Sequence, residues 1–177
     1  MQAQGPLRSL MSSLWTLPGG FGTFFLAGVV VLFSYNPDRA AQPIAFNHAK
    51  HIENGLTCTD CHVGAQAEQR ATLPTISDCL TCHETALTKG SEEQKIRDLA
   101  AAGKELEWVQ LTRMPAHVYF SHRRHVALAG MACADCHGLM EKAVRPPEKP
   151  FRRLTMDECI ECHEQKKART DCNDCHL

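Results

Sequence analysis

The chain has 177 residues, with 19 Lys and Arg against 20 Asp and Glu, so its formal net charge is −1. That balance leaves no electrostatic footprint for nucleic acid, and no nucleic-acid partner is expected. Aromatic residues make up only 6% of the chain, too few for an ordinary core built from large apolar side chains.

At the amino terminus no charged residue occurs between Arg8 and Asp38. The stretch from about residue 17 to 35 is almost wholly apolar and just long enough to cross a bilayer, which takes about twenty residues of helix. Trp15 and Tyr35 bracket it as interfacial aromatics do, and Arg8 predicts a cytoplasmic amino terminus. Residues 1–38 are therefore expected to hold a transmembrane signal anchor, with its helix over about 17–35. A cleaved signal peptide is the alternative, but Asn36-Pro-Asp-Arg-Ala-Ala41 matches its small-residue cleavage site poorly. Either way the remainder is expected on the periplasmic or extracytoplasmic side of a bacterial inner membrane.

Residues 39–90 open with Phe46-Asn-His48-Ala-Lys-His51 and then carry Cys58-Thr-Asp-Cys61-His62 and Cys79-Leu-Thr-Cys82-His83. Residues 91–116 read as a connecting helix and linker. Ser91 and Gln94 suit a capping box, and Ile96, Leu99, Ala100 and Leu106 share one helical face, although Gly103 interrupts it. Residues 117–177 repeat the first pattern with Phe120-Ser-His122-Arg-Arg-His125, followed by Cys133-Ala-Asp-Cys136-His137, Cys159-Ile-Glu-Cys162-His163 and Cys172-Asn-Asp-Cys175-His176. Arg145-Pro-Pro-Glu-Lys-Pro150 is an extended spacer between the third and fourth of these motifs.

All ten cysteines thus fall into five Cys-x-x-Cys-His motifs, the attachment signature of c-type haem. The two thiols form thioethers to the porphyrin, and the adjacent imidazole ligates the iron. Zinc ribbons and disulfide frameworks also pair cysteines, but neither requires a histidine after every second one. Five covalently bound haem c groups are expected, with a dihaem module at 39–90 and a trihaem module at 117–177. The expected fold is a mostly irregular and α-helical multihaem cytochrome c with few or no strands, whose porphyrins supply the core.

Five of the ten histidines, His62, His83, His137, His163 and His176, serve as proximal iron ligands in this reading. His48, His51, His117, His122 and His125 are the candidate distal ligands, one for each iron. Residues three apart share a helical face, so each Phe-x-His-x-x-His patch could reach two neighbouring haems. His117 rests on this arithmetic alone. Methionine thioether is the competing sixth ligand, and Met114, Met131, Met140 and Met156 all lie in the haem region.

The Phe-x-His-x-x-His patches followed by Cys-x-x-Cys-His resemble the cytochrome c3 and c7 class across most of residues 44–177. The resemblance implies that His48 serves the His62 haem and His122 the His137 haem, while His51 and His125 reach across to neighbours. One membrane helix joined to five motifs is similar to the pentahaem subunit of alternative complex III, as is the segment Trp108 to His122. The comparable subunit of quinone reductase complexes carries six motifs. The resemblance to alternative complex III implies iron–sulfur and polytopic membrane subunits as partners. It also implies single-electron relay from a quinol-oxidising complex to a periplasmic carrier or terminal oxidase, with no catalytic site on this chain. Two other functions stand beside it. One is a stand-alone anchored quinol dehydrogenase or periplasmic multihaem carrier. The other is a multihaem reductase with one open haem, which often replaces a motif histidine by lysine.

Overall fold

The computed structural model describes residues 39–176, together with residues 25, 28 and 29. The chain divides into two units, Met1–Arg39 and Ala40–Leu177. Phe25, Gly28 and Val29 are helical, while the rest of the expected anchor at 17–35 lies outside the described residues. Among the described residues, no helix is long and apolar enough to cross a membrane.

The second unit is built from short helices joined by irregular chain: α1 (His48–Glu53), α2 (Cys58–Cys61), α3 (Ile76–His83), α4 (Ser91–Ala101), α5 (Cys133–His137), α6 (Met156–Gln165) and α7 (Cys172–Cys175). A π-helical turn spans Arg124–Leu128 and a 3-10 turn spans Met140–Lys142. No strand forms among the described residues, apart from an isolated antiparallel bridge between Val118 and His176. This agrees with the helical and irregular fold expected from the sequence.

Each motif sits on a helix, and four of the five helices start with the same device. An acidic side chain reaches back to the N–H of the capping residue, one of the donors a helix start leaves unsatisfied. Thr57 N–H donates to Asp60 at 2.6 Å, Thr75 N–H to Asp78 at 2.7 Å, Ala132 N–H to Asp135 at 3.1 Å and Thr155 N–H to Glu158 at 3.4 Å. In α2 and α5 that acid lies between the cysteines, so the helix begins at the first thiol. In α3 and α6 it precedes the first cysteine, so the helix begins earlier and runs longer.

The linker helix forms as α4, but not with the expected cap. Gly90 is its N-cap and has no side chain to offer, while Gln94 donates instead to Asp98 at 2.8 Å. Gly103 ends the helix. Its φ of +62° lets Gly103 N–H reach Ala100 O at 3.0 Å and Lys104 N–H reach Leu99 O at 2.9 Å, the paired bonds of a glycine-terminated helix. Ile96 and Leu106 are buried together with Ile44 and Ile76, and Phe46, Leu80, Leu99, Ala100 and Trp108 pack around them. Trp108 completes the corner by donating its indole N–H to Pro74 O at 2.8 Å.

Candidate functional site

The two histidine patches adopt nearly the same local geometry on different backbones. In the first, carried by α1, the Phe46 ring stacks on His51 at 4.3 Å and 24° and meets His48 edge-on at 4.8 Å and 84°. In the second, Phe120 stacks on His125 at 4.7 Å and 23° and meets His122 edge-on at 5.0 Å and 87°. His125 belongs to the π-helical turn, a widened form frequently found at functional sites. One phenylalanine thus sets the angle between two imidazoles in each patch. The sequence displayed both phenylalanines, but their spacing alone did not reveal this task.

Four spare histidines each face a motif histidine, ring to ring. The centroid separations are 6.1 Å for His51–His83, 5.7 Å for His117–His176, 6.4 Å for His122–His137 and 6.1 Å for His125–His163. His122 and His137 are close to parallel at 6°, and His117 and His176 at 13°. The fifth spare ring, His48, has His62 as an electrostatic neighbour. His117, which the sequence reached only by counting, is brought opposite His176 because Tyr119 N–H donates to Cys175 O at 2.7 Å and Val118 bridges to His176.

Backbone carbonyls occupy Nδ1 of several of these rings. Nδ1 of His62 lies 2.9 Å from Thr72 O, that of His163 2.7 Å from Arg169 O, that of His51 2.8 Å from Asn47 O, and that of His125 2.8 Å from Ser121 O. His122 Nδ1 makes a longer approach, 3.3 Å, to Gln69 O. A carbonyl only accepts, so Nδ1 carries the hydrogen in each ring and Nε2 keeps its lone pair. Burial, reinforced by the neighbouring His62 and His51, holds His48 below the ordinary histidine range. Burial likewise lowers His137, beside His122 and His62. Both shifts favour the neutral imidazole, the form that can ligate a metal.

His83 has a different neighbour. The buried carboxylate of Glu93 lies 3.2 Å from its Nδ1. Glu93 is itself fixed by the Thr88 hydroxyl, by the N–H groups of Leu87 at 2.7 Å and Thr88 at 2.8 Å, and by Arg97 at 2.9 Å. Its hydrogen bonds, those from Thr88 and Leu87 foremost, hold the carboxyl well below the usual carboxylate range. No motif in the sequence points to Glu93, since it lies ten residues past His83 on a helix read there only as a connector.

This donor set fits c-type haem. Two metal–nitrogen bonds of about 2 Å, with the inner parts of both rings, span about 6 Å, the separation at which these imidazoles face each other. None of the ten cysteines is in a disulfide. Among the described residues no three Cys, His, Asp or Glu side chains converge as a closed metal site would require.

Motifs of this kind on short helices, each beside a spare imidazole, define a multihaem c-type cytochrome that carries electrons. A profile described as cytochrome c3 matches residues 50–138, and one described as cytochrome c7 and related cytochrome c matches residues 118–177. The chain belongs to the cytochrome c3 family. It is also 32% identical over 134 residues to the multihaem cytochrome c subunit of menaquinone reductase from Nitratidesulfovibrio vulgaris. The match covers 70% of this chain and 62% of that relative.

Proposed function

We propose that the chain is a pentahaem electron-relay subunit of a membrane quinone oxidoreductase complex, with every iron held between two histidines. The carrying observation is the set of four facing histidine pairs at 5.7–6.4 Å. The proposed ligand pairs are His48 with His62, His51 with His83, His122 with His137, His125 with His163 and His117 with His176. Thioethers form at Cys58 and Cys61, Cys79 and Cys82, Cys133 and Cys136, Cys159 and Cys162, and Cys172 and Cys175. In this assignment no iron needs Met114, Met131, Met140 or Met156.

When bound, each haem supplies one-electron chemistry at a potential set by its axial ligands, burial and hydrogen bonding. The side chains do the rest. The carbonyls on Nδ1 fix the tautomer and aim Nε2, and Phe46 and Phe120 hold the paired rings at fixed angles. Two imidazoles at each iron would leave no position for substrate, which favours relay over a reductase with an open haem.

The likeness to a menaquinone reductase subunit supports a place in a complex that handles menaquinone. In that type of complex, this chain passes electrons inward to the quinone. The second assignment, to an alternative complex III, is favoured by the five motifs and the uncharged stretch between Arg8 and Asp38. There electrons pass outward from quinol to a periplasmic acceptor. Both assignments place the 39–90 and 117–177 modules on the periplasmic side, tethered by an inner-membrane anchor within 1–38 and joined to iron–sulfur and polytopic subunits.

Gentle detergent purification of the native protein, with mass spectrometry of what accompanies it, tests the proposal. Iron–sulfur and polytopic subunits are expected to co-purify. Adding menaquinol or a reduced periplasmic donor then shows which one reduces the chain. Recovery of the chain alone would overturn the complex and favour a free-standing anchored cytochrome.

A further inference from the structure

We infer that the five attachment motifs lie in space in the order second, first, third, fourth, fifth. The motif that comes first in the sequence is internal, and the two ends of the array are Cys79–His83 and Cys172–His176. This rests on the haem reading above and adds to it where electrons can enter and leave.

The argument begins with the histidine patches, which act as staples. Within α1, His48 neighbours His62 of the first motif while His51 faces His83 of the second. One short helix therefore joins the first and second motifs. In the other patch His122 faces His137 of the third motif and His125 faces His163 of the fourth. That joins the third and fourth motifs. His117 faces His176 and belongs to the fifth alone.

The thiols connect the staples. Cys61 interacts with both Cys79 and Cys82, which sets the first motif against the second. Cys58, at the other side of the same motif, lies beside Cys133 of the third. His137 of the third motif also feels His62 of the first. Cys136 of the third interacts with Cys162 of the fourth, and Cys159 of the fourth with Cys175 of the fifth. Each of these links joins consecutive motifs in the proposed order.

Backbone contacts hold the step that departs from sequence order. His122 N–H donates to Gln69 O and Arg123 N–H to Glu68 O, both at 3.0 Å, which seats the second patch on the loop after the first motif. Ala49 N–H of α1 donates to Ala143 O at 3.1 Å, just beyond the 3-10 turn that follows the third motif. The first and third motifs are thus clamped from both sides. The second motif is turned the other way, toward α4, where His83 meets Glu93. A donor and an acceptor would therefore meet the molecule at the second and fifth motifs, near Glu93 at one end and near Arg169, Asp171 and Asp174 at the other.

The test uses the full haem-loaded chain and two variants, Cys58→Ser with Cys61→Ser and Cys79→Ser with Cys82→Ser. Mass spectrometry confirms four haems in each. A pulse of photochemical reductant then reports how fast the remaining haems equilibrate. Loss of the first motif is expected to strand one haem of four, seen as its loss from the fast phase. Loss of the second is expected to leave four haems in one fast phase. The opposite pattern, which a line in sequence order requires, would overturn the inference. If either variant fails to load, an electron-density map of the intact holo-protein decides the same point. The iron at Cys58 and Cys61 is expected to neighbour those at Cys79/Cys82 and Cys133/Cys136. A second-to-third contact would overturn the order. A haem count other than five in the intact chain would instead strike at the proposed function.

Discussion

Residues 44–108 and residues 117–176 solve the problem of a core in different ways. The first region buries Ile44, Ile76, Ile96 and Leu106 among partly covered neighbours and closes the group with the Trp108 indole. The second region buries no apolar side chain among its described residues. Only Ser121 and Gly138 are buried there among the described residues, and Leu128, Leu139, Val144, Phe151 and Met156 are all more than half exposed. Apolar burial drives folding roughly in proportion to the area removed from water. The first region therefore has side-chain cohesion of its own, whereas in our account the second depends on porphyrin faces to cover its apolar residues, as small metal-dependent domains depend on their metal.

The sharpest way to break this comparison is to make the chain without haem. Hydrogen exchange is expected to be fast throughout 117–176, with the slowest amides in α3 and α4. Uniform protection over both regions would remove the distinction. A smaller effect separates two core positions. Ile96→Ala should cost about 2–5 kcal/mol and weaken thermal stability of the haem-loaded and haem-free chains alike. Phe151→Ala should weaken the loaded chain only. Phe151 lies over Gly138, where a Cβ would come within 2.8 Å of its ring and φ is +69°, so the contact follows the third motif directly.

Smaller again is the effect of Glu93→Gln. A carboxylate beside a ligating imidazole raises its basicity and stabilises the oxidised metal. Redox titration should show one of the five midpoints rising and the others nearly still. A shift spread over all five would contradict a local role. The least effect is expected from Glu92→Gln. The Glu92 carboxylate accepts from Lys95 and from Ala45 N–H, both at 2.6 Å, and these bonds hold it below its ordinary value of 4.5. A depressed carboxylate stabilises the fold above that value, and the contribution fades as pH falls below it. The variant should therefore show a slightly flatter loss of stability on acidification, checked by thermal melts across that range.

The five motifs and the two patches were legible in the sequence because covalent attachment demands fixed residues at fixed spacing. The helix over 91–101 was legible too, since Ile96, Leu99 and Ala100 mark its buried face. Its cap was not. Ser91 promised a side-chain bond that Gly90 cannot make, and Gly103 looked like a weakness where it serves as the stop. The pairing of His51 with His83 and of His125 with His163 depends on which helices meet, which no local spacing encodes. Glu93 escaped notice for the same reason, because its closeness to His83 exists only once α4 folds back on α3.

The account stands or falls on axial ligation, and resonance Raman with EPR of the fully oxidised holo-protein measures it most directly. Five low-spin irons, each with two histidines, are predicted. A high-spin iron open to carbon monoxide on reduction, or a methionine-ligated one, would contradict the pairing of the ten histidines and with it the assignment as a pure relay.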